Sequence, residues 1–528
     1  MMTNLRRMLP LGISMCVIAF AWADQSSAEV TAVVRQQVHP VLIGKATNPL
    51  LAVTVRSNEA GARLKSLHFG LLGTSDLNDL SQLQVFVAGA NGQFTSGEQF
   101  GPTVDSQQQL IFTGDRVLQE GNNVFWLSCT VNHDADLTHR VDAVCTSIET
   151  TEREIVPVDE SPGISQRIGV ALRQHNDDGV HTYRIPALTT TSKGTLLCVY
   201  DMRRRKSRDL QEDIDIGLSR STDGGQTWES PRVIMDMGTY GGLPESQNGC
   251  SDPGIIVDHE TGDIFCFAVW MWGKPDHHQW QADGSEPGYV IGESAQFLMV
   301  KSNDDGLTWS KPVNLTRQLK RKEWWLFAPS PQQGMTLRNG TLVMPTQGRD
   351  AQGVSFSNIM WSSDHGQTWN VSEPATVDTS ECQAVELSDG SIMLNCRNKG
   401  DTKYRAVKVT SDLGKTWREH LTDDRALIEP TCNGSTLRFS YHLDGEAKDL
   451  LLFANPHAQD GRHHQTIQVS LDEGQTWPEK YHLLLDEGRG RGYPSLTQVD
   501  DQHVGIVYEG SQADLIYERI SLDELLHK

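Results

Sequence analysis

The sequence predicts an all-β protein, a six-bladed β-propeller preceded by a small β-sandwich. The first observation behind this is a repeat. The pattern S/T-x-D-x-G-x-T-W occurs five times, ending at Trp228, Trp309, Trp369, Trp417 and Trp477. Short alternating apolar runs flank the copies, such as Ala295-Gln296-Phe297-Leu298-Met299-Val300, so strand, polar turn and strand recur once per small sheet. The second observation is that residues 29–155 lack the repeat and carry strand-like runs at Leu51–Val55, Leu83–Val87 and Val124–Leu127 between Gly, Asn and Asp turns. That pattern reads as a separate β-sandwich.

From the amino terminus, Arg6 and Arg7 precede an apolar run from about Leu9 to Ala21, and Ala21-Trp22-Ala23 has the small-residue form of a cleavage site. Residues 1–23 therefore read as a signal peptide, and the expectation is an exported protein, periplasmic or extracellular. The run is shorter than the roughly 20 residues a bilayer requires, so no transmembrane anchor is expected. The polar stretch Glu149-Thr150-Thr151-Glu152-Arg153-Glu154 marks the expected end of the sandwich. The propeller is then expected over 160–528, long enough for six blades of roughly 40–60 residues.

Composition excludes several classes. The 528 residues carry a formal net charge of −22, which argues against a nucleic-acid partner. A mean hydropathy of −0.42 excludes a polytopic membrane protein. Neither excludes an anionic substrate, because a few clustered arginines dominate a pocket whatever the overall charge. Beyond Cys16 there are eight cysteines and no C-x-x-C spacing, so neither a zinc site nor a redox motif is expected. Cys129 with Cys145, and Cys382 with Cys396 across a hairpin, are spaced to allow pairing. Most are expected to be buried small hydrophobes.

Each repeat position has a physical reason. The Asp accepts hydrogen bonds from turn amides, the Gly permits positive φ, and the Trp pins the turn to the sheet. Five equivalent turns cannot be one active site, so these aspartates are expected to be structural.

Chemistry is expected elsewhere. At the start of the propeller stands His181-Thr182-Tyr183-Arg184-Ile185-Pro186-Ala187. Such an Arg-Ile-Pro segment followed by Asp-box turns resembles the sialidases (neuraminidases) of the bacterial and animal exo-sialidase superfamily, over about residues 165–520. The resemblance implies a six-bladed propeller with its site on the axis. It also implies three arginines gripping the sialic acid carboxylate: Arg184, Arg397 in Leu394-Asn395-Cys396-Arg397-Asn398, and Arg462 just upstream of the last Asp box. Guanidinium groups suit this task because they bind carboxylate in planar, bidentate fashion.

The nucleophile implied is Tyr493, in Arg491-Gly492-Tyr493-Pro494-Ser495, with Pro494 where Ser is common in the family. The anomeric carbon of sialic acid carries its own carboxylate, so a neutral phenol avoids the repulsion an Asp or Glu would meet. A phenol of pKa about 10 needs an adjacent base. Glu381, in Ser380-Glu381-Cys382, matches that base, with Glu386 as its rival. Asp209 matches the acid/base, with Asp213 and Asp215 as competitors. Arg203 and Asp252 match residues lining the glycerol and N-acetyl side of the pocket.

The resemblance implies hydrolysis of terminal α-linked sialic acids from glycoproteins, glycolipids and oligosaccharides, with retention. The alternatives are a non-catalytic, sialic-acid-binding lectin-like propeller, or a trans-sialidase, including the intramolecular type. Trp270, Trp272, Trp280, Trp324 and Trp325 serve either as acceptor-site aromatics or as core packing. No cofactor or metal is expected, since the adjacent pairs His277-His278 and His463-His464 would point to opposite faces of a strand. The front domain also resembles the amino-terminal domain of some bacterial sialidases, with sugar binding or a stabilising role as its two readings.

Overall fold

The front domain forms where alternating apolar residues make two sheets each apolar on one face. In the computed structural model, which describes residues 30–526 apart from 59, 90, 211, 273–279 and 281–283, Val30–Gln36, Asn48–Ser57, Leu80–Val87 and Gly121–Val131 share one sheet. Arg63–Gly70, Gln109–Val117, Val144–Thr150 and Glu154–Ile155 form the other. Leu51, Val53 and Val55 from the first sheet meet Leu67, Phe69 and Phe112 from the second in one buried cluster. Phe69 and Phe112 pack edge to face with centroids 5.8 Å apart. The polar stretch expected to end this domain forms a tight hairpin, with Glu154 opposite Glu149. Thr150 accepts from the Arg153 side of a tight hairpin, and Val158–Asp159 pairs back in parallel with Val30–Gln36.

Six four-stranded antiparallel units follow. In order, their first strands are Thr182–Thr190, Asn248–Val257, Leu326–Pro329, Thr379–Glu386, Ser435–Leu443 and Pro494–Gln498. The sixth unit is completed from the other end of the propeller sequence. Gln166–Arg173 pairs with Leu515–Ser521, matching Val170 to Tyr517 and Ala171 to Ile516. Between the first strands of units six and one, the Leu188 amide donates to Ser495 Oγ at 2.8 Å. Between units six and five, the Leu496 amide donates to Ser435 Oγ at 3.0 Å.

The two domains are joined by backbone as well as side chains. Val41–Ile43 of the front domain pairs in parallel with Gln166–Arg173, extending the sixth unit. Arg167 lies 2.8 Å from both Glu518 and Glu524, and Arg140 also reaches Glu524. Gln226, inside the first Asp box, donates to the Ala135 carbonyl at 2.8 Å.

The five Asp boxes share one geometry. In the first, Asp223 Oδ1 accepts from Ser221 Oγ at 2.8 Å and from the Thr227 amide at 2.9 Å, while Thr227 Oγ1 donates to Oδ2 at 2.5 Å. Gly225 has φ +89° and its amide donates to Ser221 Oγ at 2.9 Å. Asp304, Asp364, Asp412 and Asp472 repeat the Thr amide contact at 2.8–3.0 Å. Each box joins the third strand of a unit to the strand after it. Because Leu196 pairs with Ser221 and Arg203 with Ile214, the boxes lie at the opposite end of the blade from the ends of the second strands.

All eight cysteines among the described residues are buried thiols. The two pairings that spacing allowed are not formed, although Cys382 and Cys396 are direct register partners. Among the described residues, no helix is long and apolar enough to cross a membrane. Residues 1–23, expected to be a signal peptide, lie outside the described residues.

Candidate active site

The ends of the blades away from the Asp boxes converge on one cavity of about 400 Å³. Arg184, Asp209, Asp252, Glu381, Arg397, Arg462 and Tyr493 all line it. They come from the starts of first strands, the ends of second strands and the loops between second and third strands, positions that share one end of an antiparallel blade. Arg184 and Tyr493 are thus neighbours despite lying 309 positions apart in the numbering.

The Arg-Ile-Pro segment works through its backbone. The ladder between the first two strands breaks between Arg184 and Ala187, and Ile185 has φ +56°. A β-branched residue at positive φ is strained. Here the strain is held by Glu509, whose Oε1 accepts from the Ile185 amide at 2.8 Å and from Arg184 Nε at 2.5 Å. Pro186 has no N–H to lose where the ladder is interrupted, and the bulge re-aims Arg184. Unit two repeats the device at Asp252-Pro253, where Asp252 has φ +57° and the register shifts between Ser251 and Gly254.

Glu509 also supports the tyrosine. Its Oε2 accepts from the Tyr493 amide at 3.2 Å, and its own amide donates to the Tyr493 carbonyl at 3.1 Å. One buried carboxylate therefore sets both Arg184 and Tyr493.

Tyr493 is 4 % exposed, and its OH donates to Glu381 Oε1 at 2.5 Å. Arg397 Nη1 donates to both members of that pair, to Glu381 Oε2 at 2.5 Å and to Tyr493 OH at 2.9 Å. Arg184 and Arg462 stand against the ring, with guanidinium carbons 5.5 and 5.4 Å from its centroid. Burial, and then the Glu381 charge, push the phenol well above its ordinary range, against the pull of Arg397 and Arg462. Burial works against the Arg397 charge, but Glu381 outweighs it and keeps the guanidinium firmly cationic. The resting site thus holds a neutral phenol hydrogen-bonded to Glu381 and surrounded by arginines.

Glu386, the rival to Glu381, lies at the far end of the same strand, 3.2 Å from Arg338 Nε and away from this cavity. Asp215 pairs with Arg204 at 2.5 Å and Asp213 does not line the cavity. Asp209 sits on the loop between the first unit's second and third strands, about one-third exposed, in an ion pair with Arg203.

Arg203 departs from the expectation. Its side chain is 0 % exposed and does not line the cavity. It is tied to Asp201 at 2.8 Å and to the Ser207 carbonyl at 2.8 Å, and so braces the loop that carries Asp209. Asp252 does line the cavity, with its amide donating to Asp201 Oδ1 at 3.1 Å. Burial, then the charges of Asp201, Glu381 and Asp209, raise its pKa well above the carboxylate range.

The histidine geometry also departs from expectation. His464 has φ +58° and the register shifts there, so the His463 and His464 rings meet through their Nδ1 atoms instead of facing apart. His463 Nε2 also contacts Asp460 Oδ1 at 2.9 Å, on the loop that carries Arg462. His277 and His278 lie outside the described residues. Of the tryptophans, Trp270, Trp324 and Trp325 are buried in the core, Trp272 is half-buried, and Trp280 lines the cavity.

Reading the sequence missed Glu509, Asp201, Gln347, Arg349 and Lys399. One signal was available for Arg349. It stands fifteen residues before the box aspartate Asp364, as Arg397 stands fifteen before Asp412. Aligning the repeats on their boxes brings the two arginines to one position.

A propeller whose axial cavity combines a carboxylate-bonded tyrosine with convergent arginines has the makings of a hydrolase for an anionic sugar. The comparisons agree with that class. Residues 194–507 match the BNR repeat-like domain, and residues 29–154 match the N-terminal domain of BNR-repeat neuraminidase. A sialidase from Bacteroides fragilis (strain YCH46) is 37 % identical across 94 % of this chain and 95 % of its own length. The solved structure of Hadza microbial sialidase Hz136 is likewise 37 % identical, with TM-score 0.85 over 94 % of this chain and all of the other. The intramolecular trans-sialidase from Ruminococcus gnavus is 21 % identical, with TM-score 0.53 over 67 % of this chain and 98 % of its own, and shares the fold. The chain belongs to the BNR-repeat sialidase family.

Proposed function

We propose that this protein is an exo-α-sialidase that hydrolyses terminal α-linked sialic acids on glycoproteins, glycolipids and oligosaccharides, with retention through a tyrosine-linked intermediate. The observation that carries this reading is the 2.5 Å hydrogen bond from Tyr493 OH to Glu381 inside a cradle of three arginines. A lectin needs the cradle but has no use for a base on the phenol.

In this reading Arg184, Arg397 and Arg462 hold the sugar carboxylate, which places the anomeric carbon against Tyr493. Glu381 takes the phenol proton as the oxygen attacks, forming the Tyr–C2 bond. Asp209 gives its proton to the departing glycosidic oxygen as the C2–aglycone bond breaks. Water then attacks C2 with Asp209 as base, and the tyrosine leaves with its proton returned from Glu381. An export signal in residues 1–23 would deliver the enzyme to where such glycans are met.

Release of 4-methylumbelliferone from its α-sialoside tests the reading, with Tyr493→Phe alongside. The expected outcome is turnover in the wild type, a loss of at least about 10³-fold in the variant, and the α-anomer of the free sugar as first product by NMR. Sialic acid binding without turnover in the wild type would support the lectin instead. A β-anomer as first product would overturn retention.

A further inference from the structure

The cavity holds more positive charge than one carboxylate requires. Besides Arg184, Arg397 and Arg462, it is lined by Arg349 and Lys399. Arg349 ends the second strand of unit three, Leu342–Arg349, and Lys399 follows the second strand of unit four, Ile392–Asn398. The two are thus delivered from adjacent blades to the same rim.

The contacts described for both are with neutral groups. Arg349 lies with its guanidinium carbon 5.3 Å from the Trp325 ring centroid and donates from Nη2 to the Trp280 carbonyl at 2.8 Å. Lys399 Nζ donates to Ser355 Oγ at 3.3 Å. Among the described residues neither meets a carboxylate at ion-pair distance, whereas Arg184 and Arg397 are paired with Glu509 and Glu381. Arg462 shares this condition, bonding only carbonyls, and it is one of the residues assigned to the sugar carboxylate. In a chain of net charge −22, two further cations lining one cavity give that wall a local positive charge suited to an anion. Their mutual repulsion is felt: burial, and then Arg349 and Arg397, pull the Lys399 pKa down to about 8.

Position around the ring indicates where that anion lies. The groups that fix the anomeric centre come from units four, five, six and one. Asp252 belongs to unit two and Gln347 and Arg349 to unit three, with Lys399 at the unit-four edge beside them, so this wall reaches away from the anomeric centre towards the other end of the sugar. We propose that Arg349 and Lys399 form a second anion position, which selects sialic acids carrying a sulfate or phosphate ester on the tail remote from the anomeric carbon. This inference rests on the exo-sialidase reading above.

The test measures kcat/KM of the purified protein on three 4-methylumbelliferyl α-sialosides: unsubstituted, 8-O-sulfated and 9-O-phosphorylated. A charged sugar is expected to be preferred by roughly tenfold at low ionic strength, a ratio that shrinks as salt rises. Arg349→Gln combined with Lys399→Gln should bring the ratio to about one, while Lys399→Arg, which keeps the charge, should retain it. A preference confined to the sulfate or to the phosphate identifies which ester is read. A wild type that cleaves the charged sugars no better than the plain one overturns the proposal, as does a preference that survives the double variant. Failure to cleave any of the three would overturn the sialidase reading itself, and this inference with it.

Discussion

The two ends of each blade use the same residue type in opposite ways. At one end, the Asp-box carboxylates sit near the surface, and each is satisfied by its own turn. Hydrogen bonds from Thr308, then Ser302, hold Asp304 at about 2, and Asp364 and Asp412 are likewise held at about 2 by their own boxes. At the other end, Asp201 and Asp252 are buried side by side, and burial raises both above the ordinary carboxylate range. A carboxylate surrounded by donors from its own eight residues is inert. One buried against other carboxylates by distant parts of the chain is held back from ionising. The box end therefore serves to hold the blade, and the other end is free to carry chemistry.

Altering each end should separate these roles. The largest effect is expected at the site. Glu381→Gln, which keeps the hydrogen bond but not the base, should lower kcat on the 4-methylumbelliferyl sialoside by about 10²–10⁴-fold with little change in melting temperature. A kcat within a few-fold of wild type would show that the carboxylate is not the base.

Next comes Glu509→Gln. Loss of the charge that pairs with Arg184 should raise KM by roughly tenfold, the scale of a charge-assisted hydrogen bond, and should also lower kcat because the same residue holds the Tyr493 backbone. An effect on melting temperature alone would make Glu509 a mere structural support.

At the opposite end, Asp472→Ala is expected to leave kcat/KM near wild type and to lower Tm by roughly 1–3 °C. A strong loss of activity in the folded variant would break the division between the two ends.

The smallest effect is in pH. A carboxylate whose folded pKa is depressed contributes stability that is present above about 4 and lost as pH falls through about 2. The Tm difference between wild type and Asp364→Asn should therefore be greatest near neutrality and shrink as pH falls from 4 towards 2. A constant difference would mean that the Asp364 charge contributes nothing to the turn.

Much of this was legible without coordinates, and which parts were legible follows a physical line. The box geometry could be read because donor and acceptor lie within eight residues, so the contacts from Asp223 to Ser221 and Thr227 are set by local backbone alone. The blade count followed from the length of the propeller segment and the family resemblance, and seven of the residues that line the cavity were reached through that resemblance, not through spacing. The role of Arg203 was misread because its motif says nothing about burial: whether it faces the cavity depends on how Asp201 and the 204–213 loop pack around it. The facing of His463 and His464 was misread because a strand was assumed where His464 turns to positive φ.

By itself, the sequence determined the turns, the strand-rich architecture and the export expectation, since these depend on short-range pattern. Only the tertiary structure decided that Glu509 braces Arg184 across 325 positions, that Tyr493 meets Glu381 across 112, and that Arg349 and Lys399 share a wall. Such pairings have no local signature. They arise because six antiparallel units pack around one axis, and bulges at Ile185 and Asp252 turn particular side chains inward, so that a site is assembled from groups that share an end of a blade and nothing else in the chain.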